Sequence, residues 1–217
     1  MSTDADADAD AETPTITVYS DYVCPFCYLG RESLRQYQQT REDELKIDWH
    51  PFDLRGQQRR PDGTIDHSVD DGKDEEYFEQ AKENVRRLQE EYDVEMTLEV
   101  ATDVDSLPAQ IASYYVKEHY PYETWLDFDG AVFEALWTEG RDIGDTEVLV
   151  ELAAEAGVDG DEVRSALDDE ELGEAVRERF TAAQRHGVTG VPTFAYEGYA
   201  ARGAVPPEHL ERLVESV

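Results

Sequence analysis

The sequence predicts an α/β protein in which a β-α-β segment and a β-β-α segment flank a long, all-helical block. Three observations predict it. β-branched and aromatic residues alternate near both ends of the chain, helical periodicity fills the space between, and a Cys-x-x-Cys stands where the first strand gives way to the first helix.

Thr15-Ile16-Thr17-Val18-Tyr19 alternates and reads as the first strand. Asp21-Tyr22-Val23 leads out of it. From Pro25 the period becomes helical, with Leu29, Leu34 and Tyr37 facing inward. Leu45 to Phe52 alternates again and is a second strand, parallel to the first because a helix crosses between them. Asp53 to Gly72 is polar and rich in Arg, Gln, Asp and Gly, the composition of an exposed loop. Helices follow. Asp74 caps one in which Tyr77, Phe78, Ala81, Val85, Leu88 and Tyr92 share a face. Ser106 and Pro108 open the next, through Ile111, Tyr114 and Tyr115. Tyr122 to Trp137 carries Trp125, Phe128, Val132, Phe133, Leu136 and Trp137, read as the core of the block, with a groove facing the Cys-x-x-Cys as the alternative. Asp145 caps a helix that stops at Gly157, Asp159 or Asp161 starts a short one, and the last runs from Glu170 to His186, ended by Gly187. The period then returns to two. Val191 to Tyr196 is a strand, Glu197-Gly198 a hairpin-like turn, Tyr199 to Arg202 another strand, and Pro206-Pro207 begin a closing helix through Leu210, Leu213 and Val214.

The outer pieces have the element order of a thioredoxin fold, and the middle is an all-helical insertion. The chain divides into an acidic tail over residues 1–13, expected to be disordered because it has nothing to bury, a thioredoxin-fold domain over 14–55 plus 187–217, and a helical insertion domain over 56–186.

The formal net charge is −33, from 52 acidic and 19 basic residues. Such a chain repels nucleic acid and anionic membrane, so neither is an expected partner. No apolar run reaches the roughly 18–20 residues needed to cross a bilayer. The N-terminal residues alternate Asp and Ala, with neither a basic start nor an apolar stretch, so they do not form a secretory signal, and a cytoplasmic location is expected. The acids are spread over the whole chain, and the lysines are only Lys46, Lys73, Lys82 and Lys117. That pattern suits a halophile cytoplasm, where concentrated salt screens the self-repulsion.

Cys24-Pro25-Phe26-Cys27 carries the chemistry. In a reducing compartment a lone close pair of cysteines is catalytic or metal-binding rather than structural. A zinc site needs about four ligands. The sequence has no second cysteine pair, and His50, His67, His119, His186 and His209 are scattered without ligand spacing. No metal and no cofactor is therefore expected beyond a redox-active disulfide, with glutathione a candidate co-substrate. Placed at a helix N-terminus, Cys24 gains thiolate stabilisation from unpaired N–H groups and the helix dipole. Pro25 falls where its missing N–H costs nothing. Cys27, one turn further in, is expected to be the more buried. Cys24 is then the attacking thiolate and Cys27 the resolving thiol. Pro192, starting the strand after the insertion, is expected beside the cysteines with a cis bond from Val191. There the Val191 backbone would pair with an extended substrate segment. Pro25, Phe26, Val191 and Pro192 are the substrate-contact candidates. Arg55, Arg59 and Arg60 read as a solvated loop, the alternative being an anion or glutathione contact. His186 reads as a helix-terminal cap, and His50-Pro51-Phe52 as packing at a strand end.

Ser20-Asp21-Tyr22-Val23-Cys24-Pro25-Phe26-Cys27-Tyr28-Leu29-Gly30 resembles the active-site segment of the DsbA-like FrnE proteins. Thr138 to Asp145 looks like that family's insertion motif. Gly187 to Phe194 resembles its cis-proline segment, and Gly203-Ala204 with Pro206-Pro207 its closing helix. The resemblance runs from about Thr15 to Val217. It implies a thioredoxin domain with an α-helical insertion and dithiol–disulfide activity, with Cys24, Cys27 and Pro192 as functional positions. One segment departs. Where relatives often read Asn-Thr-x-x-Ala-His, this chain reads Asp105-Ser106-Leu107-Pro108-Ala109-Gln110, without the histidine. The same superfamily includes 2-hydroxychromene-2-carboxylate isomerases and kappa-class glutathione transferases, which usually have Ser at the position of Cys24. Three functions follow in order of preference: disulfide exchange with protein or small-thiol substrates, a glutathione-dependent isomerase or transferase, and a redox-independent binding or chaperone module.

Overall fold

The computed structural model describes residues 13–66, 68–69, 72, 75–98 and 104–216. The acidic tail, apart from Thr13, and the Asp74 cap lie outside the described residues.

Strand β1 (Thr15–Ser20) leads into helix α1 (Pro25–Thr40) and strand β2 (Lys46–Pro51). Six helices follow: α2 (Glu75–Tyr92), α3 (Leu107–His119), α4 (Tyr122–Trp137), α5 (Thr146–Glu155), α6 (Gly160–Leu167) and α7 (Glu170–Arg185). Strands β3 (Thr193–Tyr196) and β4 (Tyr199–Arg202) and helix α8 (Pro207–Glu215) close the chain. The sheet order is β2-β1-β3-β4, with β1 and β2 parallel and the other pairs antiparallel. This is a thioredoxin fold with a large all-helical insertion.

Local chemistry explains most boundaries. Asp145, Asp159 and Asp169 cap α5, α6 and α7, each accepting a hydrogen bond from the second helical N–H. Glu197 and Gly198 both adopt positive φ, 47° and 86°, the geometry of a two-residue turn that suits a twisted hairpin. Strand β3 starts at Thr193, two residues later than the sequence pattern suggests. Pro192 has no N–H to give the ladder, so pairing begins after it.

Alternation along β1 sorts its side chains between two cores. Ile16 and Val18 pack with Leu34 and Tyr37 of α1, Phe194 of β3, and Leu210 and Val214 of α8. Tyr19 faces the other way, against Phe52, Ala183 of α7 and Val188. The largest core lies in the insertion. Trp125, Phe128, Val132, Phe133 and Trp137 of α4 are buried there and continue into Tyr22, Cys24, Cys27 and Tyr28. The α4 stripe is therefore core.

Two expectations need correction. Helix α2 buries Val85, Leu88 and Tyr92, but Tyr77 and Phe78 on the same stripe are 50% and 48% exposed. The buried side chains of α2 lie in its C-terminal half. The loop after β2 is not uniformly solvated either. Asp53 is buried, and the Arg59 side chain is only 6% exposed, held by Asp53 and Asp105.

Candidate active site

The seam between β1 and α1 places the two thiols. Cys24 is the N-cap of α1, with extended backbone (φ −95°, ψ 114°), and Pro25 is the first helical residue. The Cys24 carbonyl accepts from Cys27 N at 3.0 Å, which closes the first turn and folds the two side chains toward one another. Both cysteines are free thiols. The Val191–Pro192 bond is cis, and the Cys24 thiol donates to the Val191 carbonyl at 3.7 Å. Gly30 lets this approach happen: a Cβ there would lie 3.0 Å from Pro192 Cγ and 3.1 Å from Phe194 Cζ. Cys24, Cys27, Val191 and Pro192, far apart in sequence, thus share one locus. Pro25 and Phe26 stand half-buried at its rim.

Cys27 was expected to be the more deeply buried thiol. The structure gives 2% exposure for Cys27 and 3% for Cys24, so burial does not separate them. Their surroundings do. Burial, and then the neighbouring Cys24, push the Cys27 thiol well above the ordinary range, against smaller opposing contributions from the Asp21 backbone N–H and the Ser20 hydroxyl. Cys27 is held as a neutral thiol. Cys24 instead presents its sulfur at the open end of a helix toward a backbone carbonyl.

A network that the Cys-x-x-Cys pattern does not reveal holds the approach to Cys24. Asp21 is fully buried and accepts from Leu54 N at 2.8 Å, Val23 N at 3.3 Å and Gln110 Nε2 at 3.3 Å. Burial is the main cause that raises its carboxyl from 3.8 to about 6. Hydrogen bonds from Ser106, Leu54 and Val23 oppose the rise, and the charge of Asp53 adds to it. Gln110 Nε2 also donates to Phe52 O and Ser106 Oγ, while Gln110 Oε1 is buried without a partner. Tyr22 donates to Asp129 Oδ1 at 2.9 Å and lies 2.7 Å from Ser113 Oγ, and its own carbonyl accepts from Trp137 Nε1 at 2.8 Å. Asp129 in turn accepts from Arg31 Nε at 2.8 Å. The sequence signal for these contacts was weak, because hydrogen bonds across the insertion leave no periodic trace.

The arginine patch does not act as a unit. Arg59 is sandwiched between Asp53 (2.6 Å) and Asp105 (2.9 Å) and also donates to Gly63 O, so its guanidinium is committed to internal acceptors. Arg60 is exposed and pairs with Asp66. His186 sits at the C-terminal end of α7, with its ring Nδ1 3.5 Å from the Tyr19 hydroxyl. His50 pairs with Asp48 at 2.8 Å. Among the described residues, no group of three or more His, Cys, Asp or Glu is placed to hold a metal ion.

Comparison with known proteins agrees with this architecture. The chain is 29% identical over 205 residues to the uncharacterized protein YwbO of Bacillus subtilis (strain 168), covering 92% of this chain and 94% of YwbO. Among solved structures, a Streptomyces coelicolor chain described as a probable DsbA oxidoreductase superposes with a TM-score of 0.75 at 22% identity, over 93% of this chain and 88% of that one. A 2-hydroxychromene-2-carboxylate isomerase gives 0.74 at 21% identity, over 93% of both chains. The cytosolic disulfide reductase DsbM from Pseudomonas aeruginosa with GSH gives 0.62 at 22% identity, over 92% of both. These likenesses carry the fold. The model of the DSBA-like thioredoxin domain matches residues 15–215, which is nearly the whole chain, and the protein belongs to that family.

Proposed function

We propose that this protein is a thiol–disulfide oxidoreductase that exchanges disulfides with protein or small-thiol substrates through Cys24 and Cys27. One observation supports this most: two free thiols in the first turn of α1, one at its N-cap, beside the Val191 carbonyl. In the reductive direction the Cys24 thiolate attacks one sulfur of a substrate disulfide. The S–S bond breaks, a Cys24–substrate disulfide forms, and the departing thiolate takes up a proton. Cys27 then loses its proton and attacks Cys24 Sγ, which releases the second substrate thiol and leaves a Cys24–Cys27 disulfide. Two electrons pass from enzyme to substrate, and the reverse sequence oxidises a dithiol. Because burial holds Cys27 protonated, the resolving step accelerates as pH rises.

Cys24→Ser abolishes turnover on this reading, and Cys27→Ser accumulates a mixed disulfide visible by mass spectrometry. Full activity in the Cys24→Ser variant would refute the mechanism. Equilibration of the wild type with glutathione in high-salt buffer gives the reduction potential, and its value assigns the direction.

Glutathione is a reasonable co-substrate, supported by the DsbM structure with GSH. The isomerase or transferase reading draws support from the fold likeness to the 2-hydroxychromene-2-carboxylate isomerase, whose TM-score is nearly that of the DsbA chain. The second thiol favours disulfide exchange, since isomerisation does not need it. Calorimetry against glutathione separates the two, because the isomerase reading requires a binding isotherm even in a Cys24→Ser, Cys27→Ser protein.

We further propose, from the resemblance of the active-site segment, that the chain is of the FrnE branch and works in the cytoplasm, with 14–55 plus 187–217 as the redox domain and 56–186 as the insertion domain. The name of the cytosolic relative supports the location, and no described helix is long and apolar enough to cross a membrane. The net charge of −33 supports a halophile setting. Circular dichroism during dialysis into salt-free buffer tests that setting. Unfolding is expected as screening is withdrawn, and full stability there would refute it.

A further inference from the structure

Helix α7 carries two arginines to which the sequence gives no acid. In a helix, the side chains three and four residues away are the neighbours. Those of Arg179 are Ala175, Val176, Ala182 and Ala183, and those of Arg185 within the helix are Thr181 and Ala182. The acids of α7, Glu170, Glu171, Glu174 and Glu178, all fall outside these positions. In a chain with 52 acidic and 19 basic residues an arginine without a carboxylate is the exception. Elsewhere on the surface Arg35, Arg87, Arg141 and Arg164 each meet one. Among the described residues, neither Arg179 nor Arg185 has a carboxylate within ion-pair distance.

The small residues beside these arginines leave a groove of about 720 Å³ along α7, bordered by Tyr114 of α3. Arg179 is half-buried there and already held in place. Its guanidinium lies over the Tyr114 ring, 5.1 Å from the centroid, and donates to the Tyr114 hydroxyl at 3.0 Å. A hydroxyl does not cancel the charge, so Arg179 is a positioned cation that loses little freedom when it meets an anion. Arg185 stands exposed almost two turns further on, about 9 Å along the axis. Ala182 is three residues from each, so its methyl group lies between the two cations.

We propose that this groove binds a small organic dianion: two carboxylate or phosphate groups, joined by a short apolar spacer, meet Arg179 and Arg185 while the spacer rests on Ala182. The spacing sets the chemistry. Each guanidinium offers a planar fork that fits one carboxylate or phosphate, and two forks based about 9 Å apart are best met by two anionic groups. Charge sets the size. Beyond the arginines the protein is an acidic surface of net charge −33, and Glu178 already stands at the groove. A nucleic acid or an acidic protein would extend onto that surface and be repelled. A small ligand stays within about one Debye length of the two cations, roughly 8–10 Å at moderate salt. Helix α7 carries none of Cys24, Cys27, Val191 and Pro192, so the site is separate from the thiols.

Calorimetric titration of the full chain tests this at constant ionic strength. The probes are the α,ω-dicarboxylates from succinate to pimelate and phosphonoacetate, with hexanoate as the monoanion control. At least one dianion is expected to bind the parent about tenfold or more tightly than hexanoate, as a second charge-assisted contact implies. Arg179→Gln and Arg185→Gln should each weaken that probe by a similar factor, and the double variant should lose it. Arg179→Lys keeps the charge without the fork and should recover only part of the affinity. Ala182→Leu fills the place of the spacer and should weaken the dicarboxylates. Equal affinity for dianions and hexanoate, affinity untouched by both arginine substitutions, or no binding of any probe at tens of millimolar would overturn the proposal. If tetra-aspartate binds more tightly than every small dianion, the groove is a polypeptide site and the proposal is wrong. Circular dichroism and hydroxyethyl disulfide turnover should match the parent in each variant. If Arg179→Gln fails to fold, the exposed Arg185 carries the test alone. Because binding is read without redox turnover, this result and the disulfide-exchange reading stand or fall separately.

Discussion

Asp21→Asn is the perturbation that tests most directly how the residues ahead of Cys24 are held. Burial raises the Asp21 carboxyl from 3.8 to about 6, which corresponds to about 3 kcal/mol of preference for the neutral form. Because its value in the folded protein lies above that in the unfolded chain, the unfolded state releases this proton first as pH rises. The stability due to the neutral carboxyl is complete below about pH 4, falls between about pH 4 and 6, and is gone above the folded value. Asparagine cannot ionise and escapes that loss. It also gives up an acceptor: its amide group would face Gln110 Nε2 or Leu54 N, both donors, at about 1–3 kcal/mol. The variant should therefore be the less stable protein near pH 4, and the gap should close or reverse by pH 7. Urea unfolding of both proteins at a series of pH values in high salt measures this, since the other carboxylates titrate alike and cancel in the difference. A difference that stays constant from pH 4 to pH 7 would refute the assignment of a buried, raised carboxyl.

Arg59→Ala should cost about 3–5 kcal/mol of folding free energy, because it leaves the buried Asp53 and its neighbour Asp105 without their shared cation; a midpoint shift no larger than that of an exposed arginine would contradict the burial. Gly30→Ala gains up to about 1 kcal/mol of helix propensity but forces a methyl against Pro192 and Phe194, so overpacking of about 1–3 kcal/mol should win. Slower disulfide exchange should accompany it because Pro192 is the atom group displaced, and a more stable variant with unchanged exchange kinetics would show that Pro192 yields freely.

The fold was legible because its signals are local. Period-two runs marked β1, β2 and the β3–β4 hairpin, aspartates marked the starts of α5 and α6, and the Cys24–Cys27 spacing fell on the strand–helix seam. What escaped was non-local. Periodicity finds which residues of α2 share a stripe, but not how far the rest of the molecule extends to cover it, so it does not reveal that Tyr77 and Phe78 stand half exposed. Composition finds an arginine-rich loop, but not that Asp105, 46 residues away, comes back to hold Arg59. Counting turns also overstates what burial says about the thiols: the aromatic insertion core reaches under both, and their difference lies in electrostatics rather than depth.

That reach gives the insertion a definite part in the site. Asp21 and Tyr22 occupy the short passage between β1 and Cys24, and the side chains that hold them come largely from the helical block: Gln110 and Ser113 of α3, Asp129 and Trp137 of α4. Gln110 and Ser113 are three residues apart, hence on one face of α3, so a single helix grips two consecutive residues. The groups that meet the Asp21 carboxyl are neutral donors, and the charged neighbour that acts on it most is another carboxylate, Asp53, whose cation is shared with Asp105. Gln110 stands where resembling proteins often have histidine, and glutamine cannot supply a compensating charge. The raised carboxyl of Asp21 is thus a consequence first of its burial, in a place where neutral donors fix its position and no positive charge makes its ionisation easy.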